Sequence, residues 1–501
     1  MLQRRDMLKL TAAGLLAGPA SAQPAAPAPF NEAGIAELAR ALAGKPYKAQ
    51  ARDLPDPFAS LTYEQYVGIA ARPEAAVWAG ENAGFVIEPL HRGFLFAAAV
   101  DIHLVEGGQA RRLAYDPAMY DFGALKPPAA GAGIGFSGFR ILLAREGGGP
   151  QELAVFQGAS FYRAIARAQP FGVMARALSI RTGDPRGEEF PQILSVWIER
   201  PAPASQTLVI HALIDSESAS GAYRFTLRPG EATIVDTECT LFARAAIDHL
   251  GIAGMSGSWL YGPIDRRRSE DLRPGVYELG GLQILTGRGE WLWRPVANRD
   301  TLQISAFADA NPRGFGFLQR ERDFAAFQDD DQHWERRPSL WIEPIGDWGE
   351  GSVHLVEIPS ESEANDNIIA YWRPKAALAA GATASFAYRQ FWCWTPPERP
   401  AGAIVSGSRG GRTGPGRRRR FAVEFAGESL GEAARAAEIK PVLTVAPGTA
   451  AGMRVFLAPE RRSLRVLFDI EPPPEQSCEI RLALEAAGKP ASETWLFRWT
   501  P

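Results

Sequence analysis

The sequence predicts an all-β protein made of two stacked-sheet units, and three observations carry that expectation. First, short runs rich in Val, Ile, Phe, Tyr and Trp recur from residue 85 onward, bounded by Gly, Pro, Asn and Asp. They include GFVIEPL, FLFAAAVDIHLVE, ELAVFQGASFYR, QILSVWIERP, TLVIHALID, AYRFTLRPG, ATIVDTECTLFAR, WLWRPV, LQISAFAD, SLWIEPI, SVHLVEIP, NIIAYWRP and ATASFAYRQFWCW, with little helix between them. Second, so many strands cannot stay in one open sheet, so sheets must stack. No self-similarity at a period of about 40 residues is visible, which argues against a propeller. Third, a Pro/Gly/Arg-rich segment from Thr395 to Arg420 separates these runs from a shorter series: RRFAVEFAGESL, KPVLTVAPGTA, GMRVFLAP, SLRVLFDIEP, CEIRLALEAAG and ETWLFRWTP. That series has the size and texture of a small immunoglobulin-like sandwich.

Taken in order, residues 1–22 (MLQRRDMLKLTAAGLLAGPASA) read as a targeting segment. Arg4 and Arg5 precede Met7, Leu8 and Lys9, which resembles a twin-arginine export signal, and Ala20-Ser21-Ala22 forms a cleavage pattern. The apolar run falls short of the ~20 residues that span a bilayer. Helix is expected over NEAGIAELARALAGKPY, capped by Asn31, with Ile35, Leu38, Ala39 and Leu42 on one face. A second short helix is expected from Ser60 in SLTYEQYVGIA, where Ser60 and Glu64 approximate a capping pattern. A large β-sandwich follows to residue 395, giving a first domain of 24–395. Residues 396–420 are then a linker, and 421–501 are the immunoglobulin-like domain.

Composition narrows the function. The 501 residues are 46% hydrophobic and 22% charged with a net charge of −3, which fits a globular protein with a large core and no concentrated basic surface. Nucleic acid is therefore not an expected partner. Cys239, Cys393 and Cys478 are far apart and odd in number, and the six histidines form no HxxxH or HxH pair. Neither a disulfide framework nor a metal site is signalled, and no cofactor is expected. No P-loop motif is present, so nucleotide chemistry has no anchor.

Several of the 13 tryptophans lie beside charge: GEWLWRP (Trp291, Trp293, Arg294), RRPSLWIEP (Arg336, Trp341) and GDWGEG (Trp348). Sugar rings offer C–H faces and hydroxyl edges, which flat aromatics and charged groups bind together; alternation along strands would equally put Trp in the core. Glycoside cleavage needs only two well-placed carboxyl groups. Three charge-rich loops could supply them: DRRRSEDLRPGVYELGG (265–281), QRERDFAAFQDDDQHWERRP (319–338) and ESEANDN (361–367).

Longer strings narrow the choice. FQGASFYRAIARAQPFGVMARALSI, GEEFPQILSVWIERP, GAYRFTLRPG, GEWLWRPVANRD, NPRGFGFLQRERDF, RRPSLWIEPIGDWGEGSVHLVEIPSESEANDNIIAYWRP and SETWLF closely resemble the periplasmic glucan biosynthesis proteins G and D, from about Phe30 to the C-terminus. The twin-arginine signal resembles the D member. The resemblance implies a galactose-mutarotase-like N-terminal sandwich, an immunoglobulin-like C-terminal domain, a periplasmic location and action on osmoregulated periplasmic glucans of β-1,2-linked glucose, cleaved with inversion. It places the family's general-base aspartate on Asp366 of EANDN and its acid on Glu278 of RPGVYELGG. Around these, the family's motif residues are replaced by Tyr277, Leu279, Gly280 and Ala364. Tyr261, Trp291, Trp293, Arg294, Gln319, Arg336 and Trp348 are candidate groove contacts. The expected ligand is a β-glucan polysaccharide or oligosaccharide; a membrane glucan synthase and a second copy of the chain are candidate protein partners. The altered acid motif keeps two alternatives open, a non-catalytic glucan scaffold and a transglycosylase.

Overall fold

The computed structural model describes residues 27–129, 133–144, 149–266, 270–431 and 438–501. The expected signal segment 1–22, and Arg267, Arg268 and Ser269 of the 265–281 loop, lie outside them. Two large sheets face each other. A 16-stranded sheet carries Gln192–Glu199, Leu208–Asp215, Ala219–Arg228, Thr233–Ala243, Thr383–Cys393 and Ser339–Ile345 as successive neighbours in its middle. A nine-stranded sheet runs from Gln303–Ala310 through Glu350–Glu357, Ile368–Pro374, Leu250–Gly257, Met174–Ile180, Phe161–Ala164, Gln151–Gln157 and Phe136–Leu143 to Phe85–His91.

Period-two alternation builds the layer between them. In Ala219–Arg228, Tyr223, Phe225 and Leu227 are buried while Arg224, Thr226 and Arg228 point outward. Phe139, Phe156 and Tyr162 stack in a row at 5.1 and 4.9 Å, and Phe225 meets Tyr162 edge-on at 5.1 Å from the opposite sheet. Each such ring taken out of water contributes about 1.5–3 kcal/mol. The polar tips find partners across the layer: Tyr162 donates to Gln390 Oε1 at 2.6 Å, and Tyr223 to the Ala177 carbonyl at 3.0 Å.

The helix Glu32–Ala43 packs on the outer face of the long sheet, with Ile35 and Ala39 against Leu213 and Phe242, and Asn31 caps it as expected. Leu38, expected on the same face, is 48% exposed, because the outer face of a sheet offers only a narrow apolar stripe. The second helix spans Tyr63–Val67, and its cap is Thr62 with Gln65 in a reciprocal capping box, not Ser60 with Glu64. The run FLFAAAVDIHLVE becomes a strand only from Asp101; Phe94, at φ 51°, turns the chain instead.

The long sheet does not stop at the first sandwich. Trp291–Pro295 pairs in parallel with Thr494–Trp499, aligning Trp293 with Trp495, and the sheet continues through Cys478–Ala486 to Ile439–Ala446. A four-stranded sheet of Ile404–Arg412, Arg419–Ala426, Ser463–Glu471 and Thr449–Ala458 packs over these three strands, with Trp495 at 6.0 Å from Phe421 and 6.2 Å from Phe468. This makes the C-terminal sandwich. Its first strand, Ile404–Arg412, takes nine residues from the middle of the expected linker 396–420. Gly- and Arg-rich and largely exposed, that edge strand bears almost no apolar alternation that would mark it. All three cysteines are buried and unpaired.

Candidate active site

Strand Leu250–Gly257 lies between Met174–Ile180 and Ile368–Pro374. A register shift between Ile252 and Met255, with Ala253 at φ 51°, re-aims its last residues, as bulges do beside functional sites. Ser256 and Ser258 then hold the two candidate carboxyls. Ser256 Oγ donates to Asp366 Oδ2 at 3.3 Å. The Ser258 amide donates to Glu278 Oε2 at 3.3 Å, and the Glu278 amide returns a bond to the Ser258 carbonyl at 2.9 Å. Between them, Gly257 has no room for a side chain: a Cβ there would lie 2.7 Å from Leu279 Cδ2 and 3.1 Å from Glu278 Oε2. Trp259 is clasped by Asn367, whose Oδ1 accepts from the Trp259 amide at 2.9 Å while its Nδ2 donates to the Trp259 carbonyl at 3.1 Å.

The two carboxyls sit in different surroundings. Asp366 is partly open and faces Arg163, whose Nη2 stands 3.4 Å from Oδ2. Glu278 is 6% exposed. Burial pushes its carboxyl above the ordinary glutamate range, and the nearby Asp366 charge pushes it the same way; Arg163 and Arg337 pull against them. Arg337 Nη1 is 3.8 Å from Glu278 Oε1 and also donates to the Phe171 carbonyl. A buried carboxyl raised above its ordinary range beside a more open one is the arrangement that separates acid from base.

Asp366 opens into a cavity of about 730 Å³. Its floor comes from strands Gln151–Gln157, Phe161–Ala164 and Met174–Ile180, and its walls include Leu95 and Phe96 of the 92–96 turn, Phe190 and Gln192, and Asn365. Phe161 lies under the Arg176 guanidinium at 5.1 Å and edge-on to Phe190 at 6.2 Å; Leu95 is 77% and Phe190 48% exposed. Glu278 is not among the cavity-lining residues.

The other sequence-derived candidates take different places, and none lines this cavity. Trp291 stacks on Trp341 at 5.8 Å in a cluster with Leu285 and Phe391. Trp293 lies beneath the Arg320 guanidinium at 3.6 Å, and Arg294 pairs with buried Glu357 at 3.1 Å. Trp348 is packed among Trp372, Phe386 and Tyr388. Arg336 is exposed and donates to the Ala168 carbonyl, while its neighbour Arg337 is the one beside Glu278. Gln319 and Tyr261 belong to the surroundings of Glu278: Gln319 Nε2 donates to the Tyr277 carbonyl at 3.1 Å, and the Tyr261 hydroxyl to the Arg273 carbonyl at 3.3 Å. Arg163, Ser256, Ser258, Arg337, Asn367, Phe161 and Phe190 were missed. All but Ser256 and Ser258 lie inside strings that carry the family resemblance, but nothing local marks them; the contacts of Arg163, Ser256 and Asn367 bridge about a hundred residues or more.

Fold and site together define an all-β, two-sandwich protein with paired carboxyls beside an aromatic-walled cavity. The chain belongs to the family described as periplasmic glucan biosynthesis protein, MdoG, which matches residues 30–499. It is 42% identical to glucans biosynthesis protein D 1 of Ralstonia nicotianae, over 100% of this chain and 99% of that one. It is equally 42% identical to glucans biosynthesis protein G of Rhodopseudomonas palustris, over the full length of both. A Vibrio cholerae glucans biosynthesis protein G is 40% identical over 94% of this chain and 87% of its own. Among solved structures, a galactose mutarotase related enzyme from Lactobacillus acidophilus covers 48% of this chain and 98% of its own at 8% identity; its TM-score of 0.21 is too low to bear on fold or function.

Proposed function

We propose that this protein acts in the periplasm on the glucans its family is named for, cleaving β-1,2-glucan with inversion. The observation that supports this reading is the pairing of buried Glu278, its carboxyl raised above the ordinary range, with partly open Asp366 on one short stretch of chain beside a cavity. Inverting glycosidases space their carboxyls ~6.5–9.5 Å apart to admit a water. Glu278 gives its proton to the glycosidic oxygen as the bond to the anomeric carbon breaks. Asp366 takes a proton from a water whose oxygen attacks that carbon from the opposite face. Incubation with linear β-1,2-glucan is expected to release short oligosaccharides, followed by mass spectrometry, and Asp366→Asn to abolish release. No turnover by the unmutated protein sinks the substrate assignment.

A second reading, a glucan-binding protein without chemistry, is favoured by the burial of Glu278 away from the cavity wall. Under it, glucan binding survives in both proteins and Asp366→Asn changes nothing. Products longer than the substrate mark a transglycosylase instead.

A further inference from the structure

We propose that Arg273 is a positioning residue that locks the segments carrying Glu278 and Asp366 into one arrangement, an inference that rests on those two carboxyls being the acid and base. The three charge-rich loops, far apart in sequence, meet at this one guanidinium. Its Nε and Nη2 grip Asp271 at 2.7–3.2 Å, its Nη1 reaches Asp329 Oδ2 at 2.7 Å, and its two terminal nitrogens take Glu363 Oε2 at 2.6 Å and Oε1 at 3.3 Å. It holds the Asp271 carboxyl down to about 2. The side chain is 20% exposed, so the planar fork works partly out of water, where bidentate charge-assisted bonds are strongest.

Each partner leads to the site. Glu363 lies three residues before Asp366. Asp329 accepts from Trp334 Nε1 at 2.9 Å and from the Gln332 amide at 2.9 Å. Gln332 in turn accepts from Arg337 at 3.2 Å on its carbonyl and 2.8 Å on Oε1, and Arg337 faces Glu278. Arg273 itself stands five residues before Glu278 on the chain. Without the guanidinium, three carboxylates would face one another, and the loops that aim acid and base would separate. It touches neither carboxyl and does not line the cavity, so it acts by position alone.

Two measurements test this in the full chain. Kinetics on linear β-1,2-glucan are expected to show kcat of Arg273→Ala reduced by about 100-fold with KM little changed, the scale of an ångström's misplacement, and Arg273→Lys to recover part of it. Hydrogen exchange, which needs no substrate, is expected to show 270–281, 327–338 and 360–367 losing protection together while Ala219–Arg228 keeps its own. Unchanged kcat in an active protein overturns the proposal. So does exchange gained only around 270–274, or gained across the whole fold. If the unmutated protein turns over no β-1,2-glucan, the catalytic reading falls by itself, and the exchange pattern alone then decides whether Arg273 is the lock.

Discussion

Glu278 and Asp366 hang from the same short stretch of strand, one bonded to the amide of Ser258 and the other to the hydroxyl of Ser256. Their geometry is therefore set by one backbone amide and one serine hydroxyl two residues apart. Burial holds the Glu278 carboxyl above its ordinary range, while Asp366 opens to a cavity.

The contrast predicts a pH signature. Glu278 is raised in the folded state, by burial first and Asp366 second, against the opposing charges of Arg163 and Arg337. Its contribution to stability is thus fully present below the ordinary glutamate pKa of about 4.3 and is lost as pH rises through the higher folded value. Urea unfolding of Glu278→Gln against the unmutated protein is expected to show the stability difference shifting in favour of Gln as pH rises. A difference that stays flat with pH contradicts the buried, proton-holding assignment. In kinetics the same group gives kcat an alkaline fall, which Arg337→Gln moves to higher pH by removing a charge that favours the ionised form.

Gly257 offers a steric test. An added Cβ meets Leu279 at 2.7 Å and the Glu278 carboxylate at 3.1 Å, so Gly257→Ala is expected to displace the acid and cut kcat by about 10- to 100-fold. Gly411→Ala, where a Cβ meets nothing within 4 Å, serves as control and is expected to leave turnover unchanged.

Phe190 tests the cavity. Its exposed ring, edge-on to Phe161, is placed to take the face of a sugar. Losing about 1 kcal/mol of such packing gives Phe190→Ala a KM roughly fivefold higher on glucan with kcat held. An unchanged KM places the sugar rings elsewhere.

Glu493 tests the junction of the sandwiches. Fully buried, it accepts from Arg320 at 2.5 and 3.0 Å, from Gln283 at 2.9 Å and from the Val405 amide at 2.7 Å. Arg320→Ala strands that charge and is expected to cost about 3–5 kcal/mol, read as a lower melting temperature. The double change Arg320→Met with Glu493→Gln is expected to recover much of the loss.

Much of this molecule is legible without coordinates. The alternation of Tyr223, Phe225 and Leu227 with Arg224, Thr226 and Arg228 identifies a half-buried strand, and Asn31 before an apolar stripe identifies the first helix. The strand Ile404–Arg412 escapes because an exposed edge can be built from Gly and Arg, whose pairing is a backbone property. Trp293 and Trp348 look like sugar platforms in a string of letters. Only packing reveals one beneath a guanidinium and the other inside the core. The three charged loops are visible as loops, but nothing local says that Arg273 joins them.

The sequence by itself determined the all-β class, the second sandwich and, through its family strings, two carboxylates worth watching. These depend on local alternation, turn chemistry and motif identity, which a linear text preserves. Tertiary structure alone decided that Glu278 is buried while Asp366 is partly open, that Arg337 rather than Arg336 faces the acid, that Ser256 and Ser258 hold the pair, and that Asn367 clasps Trp259 beside them. Those facts depend on which distant segments become neighbours, and on the desolvation and charge that each then imposes on the other.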